Sequence, residues 1–356
     1  MEMRNRPYYG GAEVKQVIIG AELAKLGYNV TFVTYKEKTE EEEMHDGIRI
    51  IPTVLSSNTV TRITKIKKIW KCLIKANSDI YVHSSGSPGI LPVFCLLKRK
   101  KFVLLISNDR NILFPNLNKS IPLLKYTALV IALSLDIYFA DYIVVQSDYQ
   151  KEIIEKKFRK KCVVIKNPIA LYQIPIEKAP DKRTNIIWVA GLRRTKQPDI
   201  FLKLAERLPQ YKFILIGARD AGETDVYEHI LSGIQRIPNI NYIGFIPHDE
   251  MAEVYGNARI LVNTSSVEGF PNTFLEAWQH QVPVVSLNVD PDEIICTKNL
   301  GYHSRTFEKM VLDIENIMKD DVLFLEFGKN GKSYIESNHS VDEIINKYVE
   351  LIKNIS

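Results

Sequence analysis

Two glutamates eight positions apart give this sequence its first chemical signal. They lie in the run LVNTSSVEGFPNTFLEAWQHQVPVVS from Leu261, Glu268 in a Ser/Glu/Gly loop and Glu276 in the helix that Pro271 and Asn272 start. Gly269, Phe270, Pro271, Asn272 and Thr273 make that helix start, where outward backbone N–H groups and partial positive charge favour a phosphate or a polar sugar face. A loop carboxylate there holds sugar hydroxyls by charge-assisted hydrogen bonds, and one about a turn into the helix holds a ribose diol. The plainer alternative is a capped surface helix with two solvated glutamates, against which the adjacent Gly-Phe-Pro weighs. A second cluster, VAGLRRTKQPD at Val189–Asp199, puts Arg193, Arg194 and Lys196 on one loop between a strand and a helix. Lone solvated cations are common, but three beside a strand end are less so.

These loops need a scaffold, and the apolar pattern supplies one. In the first half, strands are predicted at Val30–Tyr35, Ile48–Pro52, Ile80–His83, Phe102–Ile106, Tyr142–Gln146 and Cys162–Lys166. Helices fall between them near Val14–Leu26, Arg62–Ala76, Gly89–Leu97, Ile121–Tyr138 and Tyr149–Lys156. The rhythm resumes with strands at Ile186–Ala190, Lys212–Gly217, Ile240–Gly244, Ile260–Asn263 and Val284–Leu287. Its helices are Asp199–Leu208, Asp225–Arg236, His248–Tyr255 and Thr273–Gln279, and a last helix at Val341–Ile355 is expected to pack back on the first domain. Near-continuous apolar strands alternating with helices predict an α/β protein of two doubly wound, Rossmann-like parallel sheets, facing each other across a cleft at their C-terminal strand edges. The boundaries are residues 1–170 and 184–340, with residues 341–356 as the returning helix and residues 171–183 as a linker inside the proline-bearing stretch Asn167–Lys182. Only nine mostly polar residues precede Gly10 and Gly11, so either the true start lies upstream or the first sheet lacks its central strand and is correspondingly fragile.

Composition narrows the class. A length of 356 residues suits two domains, and 46% apolar residues with 17 Gly and 16 Pro exclude collagen-like, coiled-coil and low-complexity chains. Cys72, Cys95, Cys162 and Cys296 lie far apart without a C-x-x-C pair, which predicts buried reduced thiols, no metal site and a cytoplasmic setting. Met1–Tyr9 has no apolar core of a secretory signal, and the longest apolar stretch, Ala128–Leu135, falls short of the ~20 residues of a membrane span. The net charge of +5 conceals +11 over residues 1–170 and −6 over the rest, so the first half is expected to meet an anion. Helix Arg62–Ala76, with Ile63, Ile66, Ile69, Trp70, Leu73 and Ile74 opposite Lys65, Lys68, Lys71 and Lys75, suits docking on anionic lipid and suits an ordinary packed helix equally well. Nucleic acid is disfavoured, because aromatic residues do not interleave with the basic clusters. No H-E-x-x-H, P-loop or G-x-S-x-G motif occurs.

The sequence resembles the retaining glycosyltransferases of family 4, which have the GT-B fold, over nearly its whole length. The carriers are Glu268 and Glu276 as a Glu-x7-Glu motif in EGFPN and LEA surroundings, GGAE at Gly10–Glu13, IKNPI at Ile165–Ile169 and INYIGFIPHDEMAEVYGNARI at Ile240–Ile260. The resemblance implies transfer of a sugar from a nucleoside diphosphate donor, UDP- or GDP-linked, to a hydroxyl of a cell-surface glycan or lipid-linked acceptor, with retention, no metal and no cofactor. It implies that Glu268 holds donor-sugar hydroxyls, Glu276 the ribose, and Gly10 and Gly11 the diphosphate by close backbone approach. Lys196 would neutralise the pyrophosphate together with Arg193 or Arg194, since the usual Arg position is Gly191 here. The histidine usual after the strand Phe102–Ile106 is replaced by Ser107-Asn108-Asp109-Arg110, which makes Asp109 a candidate proton acceptor and His83 a candidate lining residue. D-P-D at Asp290–Asp292 resembles the D-x-D metal motif of another transferase fold but falls where this family has a loop over the donor. Base recognition is expected near Gly244–His248. Rival readings are a nucleotide-sugar epimerase and a catalytically silent subunit that binds sugar nucleotide or a partner.

Overall fold

A computed structural model describes residues 11–35, 41–53, 62–84, 89–113, 123–169, 182–220 and 222–355. Gly10 and most of the linker lie outside the described residues. The chain divides into two units, one of Ile169–Val341 and one of Ala12–Pro168 joined by the C-terminal helix from Asp342.

The first unit of the chain opens with helix α1 (Gly11–Lys25), then β1 (Thr31–Tyr35), β2 (Glu43–His45), β3 (Ile48–Thr53), α2 (Arg62–Ala76), β4 (Ile80–Ser84) and α3 (Ile90–Lys98). It continues with β5 (Lys101–Leu105), α4 (Arg110–Leu113), α5 (Leu123–Phe139), β6 (Tyr142–Val145), α6 (Asp148–Ile153) and β7 (Val163–Val164). Its strands form two sheets. One has the order β1-β3-β2, with β1 and β3 parallel and β2 an antiparallel edge; the other is the parallel β4-β5-β6-β7. Among the described residues no strand joins the outer edge of β1 to that of β4. Helix α2 serves both sheets: the Cys72 thiol contacts the Pro52 carbonyl beside β3, and the Tyr81 hydroxyl of β4 donates to the Leu73 carbonyl. Leu73 is buried and Ile69 and Trp70 half-buried, whereas Ile63, Ile66 and Ile74 are exposed.

The second unit contains β8 (Asn185–Val189), α7 (Pro198–Arg207), β9 (Lys212–Ile216), α8 (Thr224–Ile234), β10 (Ile240–Gly244), α9 (Met251–Gly256), β11 (Ala258–Asn263) and α10 (Asn272–Gln279). There follow β12 (Val284–Ser286), α11 (Ile294–Thr297), β13 (Gly301–His303), α12 (Phe307–Lys319) and α13 (Asp321–Asn338), and the chain closes with α14 (Val341–Ile355), whose Asn354 carbonyl accepts from Tyr142 of β6. All six strands are parallel, in the order β10-β9-β8-β11-β12-β13. Both faces are buried: Ile186 and Trp188 point into one core with Phe201, Phe213 and Leu215, while Ile187 and Ile214 join Phe274, Leu275 and Trp278 in the other. This is why the strands read as continuous apolar runs. At Gly217, just past β9, a Cβ would lie 1.7 Å from the Ala190 carbonyl, so only glycine lets the two strand ends meet.

The sequence reading assigned no element between Leu287 and Val341. The structure places α11, β13, α12 and α13 there, the strand a three-residue segment and the last two helices covering β11, β12 and α10. It also corrects two of the four thiols: Cys95 and Cys162 are buried, but Cys72 is half-buried and Cys296 exposed.

Among the described residues, two charged side chains are buried in the first unit without a hydrogen-bond partner. Lys15 of α1 is driven down to about 7 by burial alone, and Asp136 of α5, neither of whose carboxylate oxygens is hydrogen-bonded, is driven up to about 7 by burial. A carboxyl that prefers its proton in the folded state binds more protons folded than unfolded between about pH 4 and pH 7. Its contribution to stability is therefore present at acid pH and lost as the pH rises through that window. Lys15 is common to the wild type and an Asp136→Asn variant, so its own titration cancels between them. We expect Asp136→Asn to change the melting temperature little at pH 4 and to raise it by several degrees at pH 8, at about 2–4 °C per kcal/mol. Thermal unfolding of both proteins across this range checks the sign.

Candidate functional site

The strand order of the second unit reverses between β8 and β11: the chain runs outward through β9 and β10 on one side, then returns to add β11, β12 and β13 on the other. Ligands of open α/β sheets bind beyond the C-terminal ends of the strands at such a reversal. Two loops leave the sheet there, one from β8 carrying Arg193, Arg194 and Lys196 and one from β11 carrying Ser265 and Glu268.

They are stitched together from the core outward. The indole of Trp188, buried in β8, donates to Thr264 Oγ1 at 2.8 Å, and that hydroxyl donates to the Lys196 carbonyl at 2.7 Å. Ser266 adds a backbone bond to the Thr195 carbonyl at 2.9 Å. This register brings Lys196 Nζ onto Glu268 Oε1, which also accepts from Ser265 Oγ at 2.7 Å. The Glu268 side chain is 10% exposed and that of Lys196 23%, so the pair is shielded yet open on one side.

Helix α10 runs from Asn272, and no side chain caps its start, where Pro271 is extended and Phe270 is buried. Thr273 lies in the first turn and Glu276 about a turn into the helix. Glu276 Oε2 accepts from the Tyr255 hydroxyl at 2.7 Å, and Oε1 lies 3.4 Å from His248 Nε2. Burial and then the neighbouring carboxylate hold the Tyr255 phenol well above its ordinary range, so it stays a donor. His280 stacks on the Tyr255 ring, with centroids 5.1 Å apart, and fixes it from the other side.

Arg193 and Arg194 are not drawn to Lys196 and Glu268. Arg193 Nε donates to Asp220 Oδ2 at 2.6 Å, and Arg194 pairs with Asp225 while its backbone N–H donates to Glu223; both guanidinium side chains are more than half exposed. In the first unit, Gly11 begins α1. Asp109 precedes α4, and its Oδ1 accepts from Gln150 Nε2 at 2.7 Å; Gln150 is itself fixed by the Gln146 and Ser147 backbone and hydroxyl. His83 is the last residue but one of β4, with Nε2 unpartnered among the described residues, and burial lowers its pKa to about 4, which leaves a neutral imidazole at pH 7.

Sequence reasoning missed Tyr255, His248, Ser265 and Gln150. His248 and Tyr255 lay inside a recognised motif stretch, but only packing reveals that both turn toward Glu276.

Removing the relay separates the loops. Thr264→Val keeps the shape of a fully buried side chain but strands the Trp188 N–H. We expect a loss of about 1–3 kcal/mol, seen as a lower denaturant midpoint with unchanged slope.

Comparison with known proteins places this geometry. Residues 173–334 match the family model described as glycosyl transferases group 1, and residues 9–172 match that of glycosyltransferase family 4. The chain is 31% identical over 121 residues to an alpha-galactosylglucosyldiacylglycerol synthase of Streptococcus pneumoniae, a match covering 33% of this chain and 32% of that protein. The matched part spans from a third to about three-fifths of the length of the first curated relatives. Among solved structures it is similar to sucrose-phosphate synthase from Thermosynechococcus elongatus, with TM-score 0.80 and 15% identity over 97% of this chain and 94% of the other. It is similar also to Anabaena HepE, solved with UDP and glucose, with TM-score 0.74 and 14% identity over 98% and 97%. On these matches and this strand order, the chain belongs to the family 4, group 1 glycosyltransferases and has their GT-B fold.

Proposed function

We propose that this protein is a retaining, metal-independent glycosyltransferase that moves a hexosyl group from a UDP- or GDP-sugar to a hydroxyl of a cell-surface glycan or lipid-linked acceptor. The observation that carries the reading is the pairing of Lys196 with Glu268 at the sheet's reversal, with Glu276 held eight positions on by Tyr255.

In this reading Glu268 holds donor-sugar hydroxyls and Glu276 the ribose diol, and the start of α10 from Gly269 to Thr273 faces the diphosphate. The glycosidic C–O bond to phosphate breaks while the acceptor oxygen bonds to the same face of the anomeric carbon. The acceptor proton passes to the departing phosphate oxygen, so no protein base is required. Negative charge grows on the pyrophosphate as the bond breaks, and Lys196, fixed in place, stabilises it. Arg193 and Arg194 sit in exposed ion pairs, which are worth about 0–1 kcal/mol each, so turning them toward a bound diphosphate costs little. Asp109, oriented by Gln150, is the candidate partner of the acceptor hydroxyl.

The basic first half supports a peripheral, cytoplasmic-side contact with anionic lipid: α2 exposes Ile63, Ile66 and Ile74 beside Lys65, Lys67, Lys68 and Lys71. No helix among the described residues is long and apolar enough to cross a membrane. The name of the pneumococcal relative, a glycosyldiacylglycerol synthase, agrees with a lipid-linked acceptor.

Titration with UDP and GDP followed by a panel of their sugars tests this. Glu276→Ala is expected to weaken nucleotide binding at least about tenfold, the loss of a charge-assisted bond, with the fold retained by circular dichroism. Unchanged binding contradicts the ribose role. Binding without turnover of any donor makes the protein a silent subunit, and release of an epimer without acceptor makes it an epimerase; either outcome overturns the transferase reading.

A further inference from the structure

The loop between β12 and β13 brings together three side chains of different chemistry. Asp290 follows β12, Cys296 lies on α11 and His303 ends β13, and one ligating atom of each falls within 4.8 Å of the other two. We propose that Asp290, Cys296 and His303 form a binding site for a zinc-like divalent cation on the segment after β12, unrelated to the D-x-D pattern, since Asp292 takes no part in it.

The Asp290 side chain is 2% exposed and that of His303 14%. Asp290 Oδ1 accepts the Ile295 N–H at 2.8 Å and the carboxylate also interacts with the Cys296 thiol and N–H, but Oδ2 has no hydrogen-bond partner of good geometry among the described residues, and neither has His303 Nδ1, which faces it at 3.8 Å. That distance is too long for a hydrogen bond. Two buried polar atoms aimed at each other and left unsatisfied each cost about 1–3 kcal/mol. A cation between them satisfies both.

Ligand type then selects the ion. One imidazole nitrogen, one sulfur and one carboxylate oxygen suit zinc, whereas calcium and magnesium take oxygen ligands throughout. Tetrahedral zinc with bonds of about 2.0–2.3 Å keeps its ligand atoms about 3.3–3.8 Å apart. The Asp290–His303 distance of 3.8 Å is already at that spacing, and Cys296 has about an ångström to travel. Cys296 belongs to an exposed residue, which opens a route from solvent and leaves the fourth position to water. The thiol gives up its proton to solvent on binding, so thiolate and carboxylate together balance the charge of the ion. The Ile295 N–H on Oδ1 aims the carboxylate, the orienting bond that metal ligands normally have.

Such an ion ties α11 to the ends of β12 and β13. The preceding Asn288 donates to the Ser265 carbonyl at 3.3 Å, so the clamp sits on the far end of the loop that backs the Glu268 strand exit.

The test uses the full chain, stripped with chelator and titrated with Co2+ and then Zn2+. The expected result is one equivalent of cobalt, a sulfur-to-cobalt charge-transfer band that zinc removes, and a higher melting temperature with zinc. Cys296→Ser is expected to abolish the band, and His303→Gln to weaken uptake at least about tenfold. Absence of the band and of stoichiometric zinc in the wild-type chain overturns the proposal. So does a band that survives Cys296→Ser or uptake unaffected by His303→Gln, because the metal then sits elsewhere.

Discussion

A single buried hydrogen-bond relay sets the geometry of the candidate site. Trp188 is packed in the middle of β8 with almost no exposure, so its indole N–H must find an acceptor inside the protein. Thr264, immediately past β11, supplies it and passes its own proton to the Lys196 carbonyl. The core therefore fixes the distance between two loops that are 68 residues apart in sequence. Because β8 and β11 are neighbours only by virtue of the strand-order reversal, the relay exists only in this topology. Lys196 meets Glu268 as a consequence of core packing, with no need for their mutual attraction to bring the loops together.

The three cations of the β8 loop divide by burial, and the division has an energetic meaning. Lys196 pairs with a carboxylate that is nine-tenths buried, where water screens weakly and the pairing is durable. Arg193 and Arg194 pair with Asp220 and Asp225 at the surface, where such contacts exchange readily. One cation is thus preorganised and two are available for redeployment, an arrangement suited to a ligand whose charge must be admitted and later released.

Much of this was legible because parallel strands buried on both faces must be apolar throughout. Ile186–Ala190 and Lys212–Gly217 stood out for that reason, and Pro271-Asn272 announced the start of α10 by chemistry peculiar to helix N-termini. The spacing of Glu268 and Glu276 was visible, since it is a local property. What was not visible depends on distant packing. Tyr255 lies 21 residues before the Glu276 it holds, and β13 is three residues, Gly-Tyr-His, too short and too polar to register as a strand. The two Arg–Asp pairs were hidden likewise, because nothing local ties Arg193 to Asp220.

The two units differ in the continuity of their sheets. In the second unit six strands make one uninterrupted ladder, and buried Arg259 donates to the Ile317 carbonyl and pairs with Asp321. In the first, the ladder stops at β1 and starts again at β4, leaving two strand edges whose N–H and C=O groups no described strand pairs. His83 near the end of β4, Lys15 on α1 and Asp136 on α5 all carry buried polar atoms without hydrogen-bond partners among the described residues of this same unit. Burial without pairing is tolerated by changing protonation, which is why Lys15 and Asp136 are both driven toward neutrality near pH 7. The stability of this unit is consequently tied to pH through these two groups.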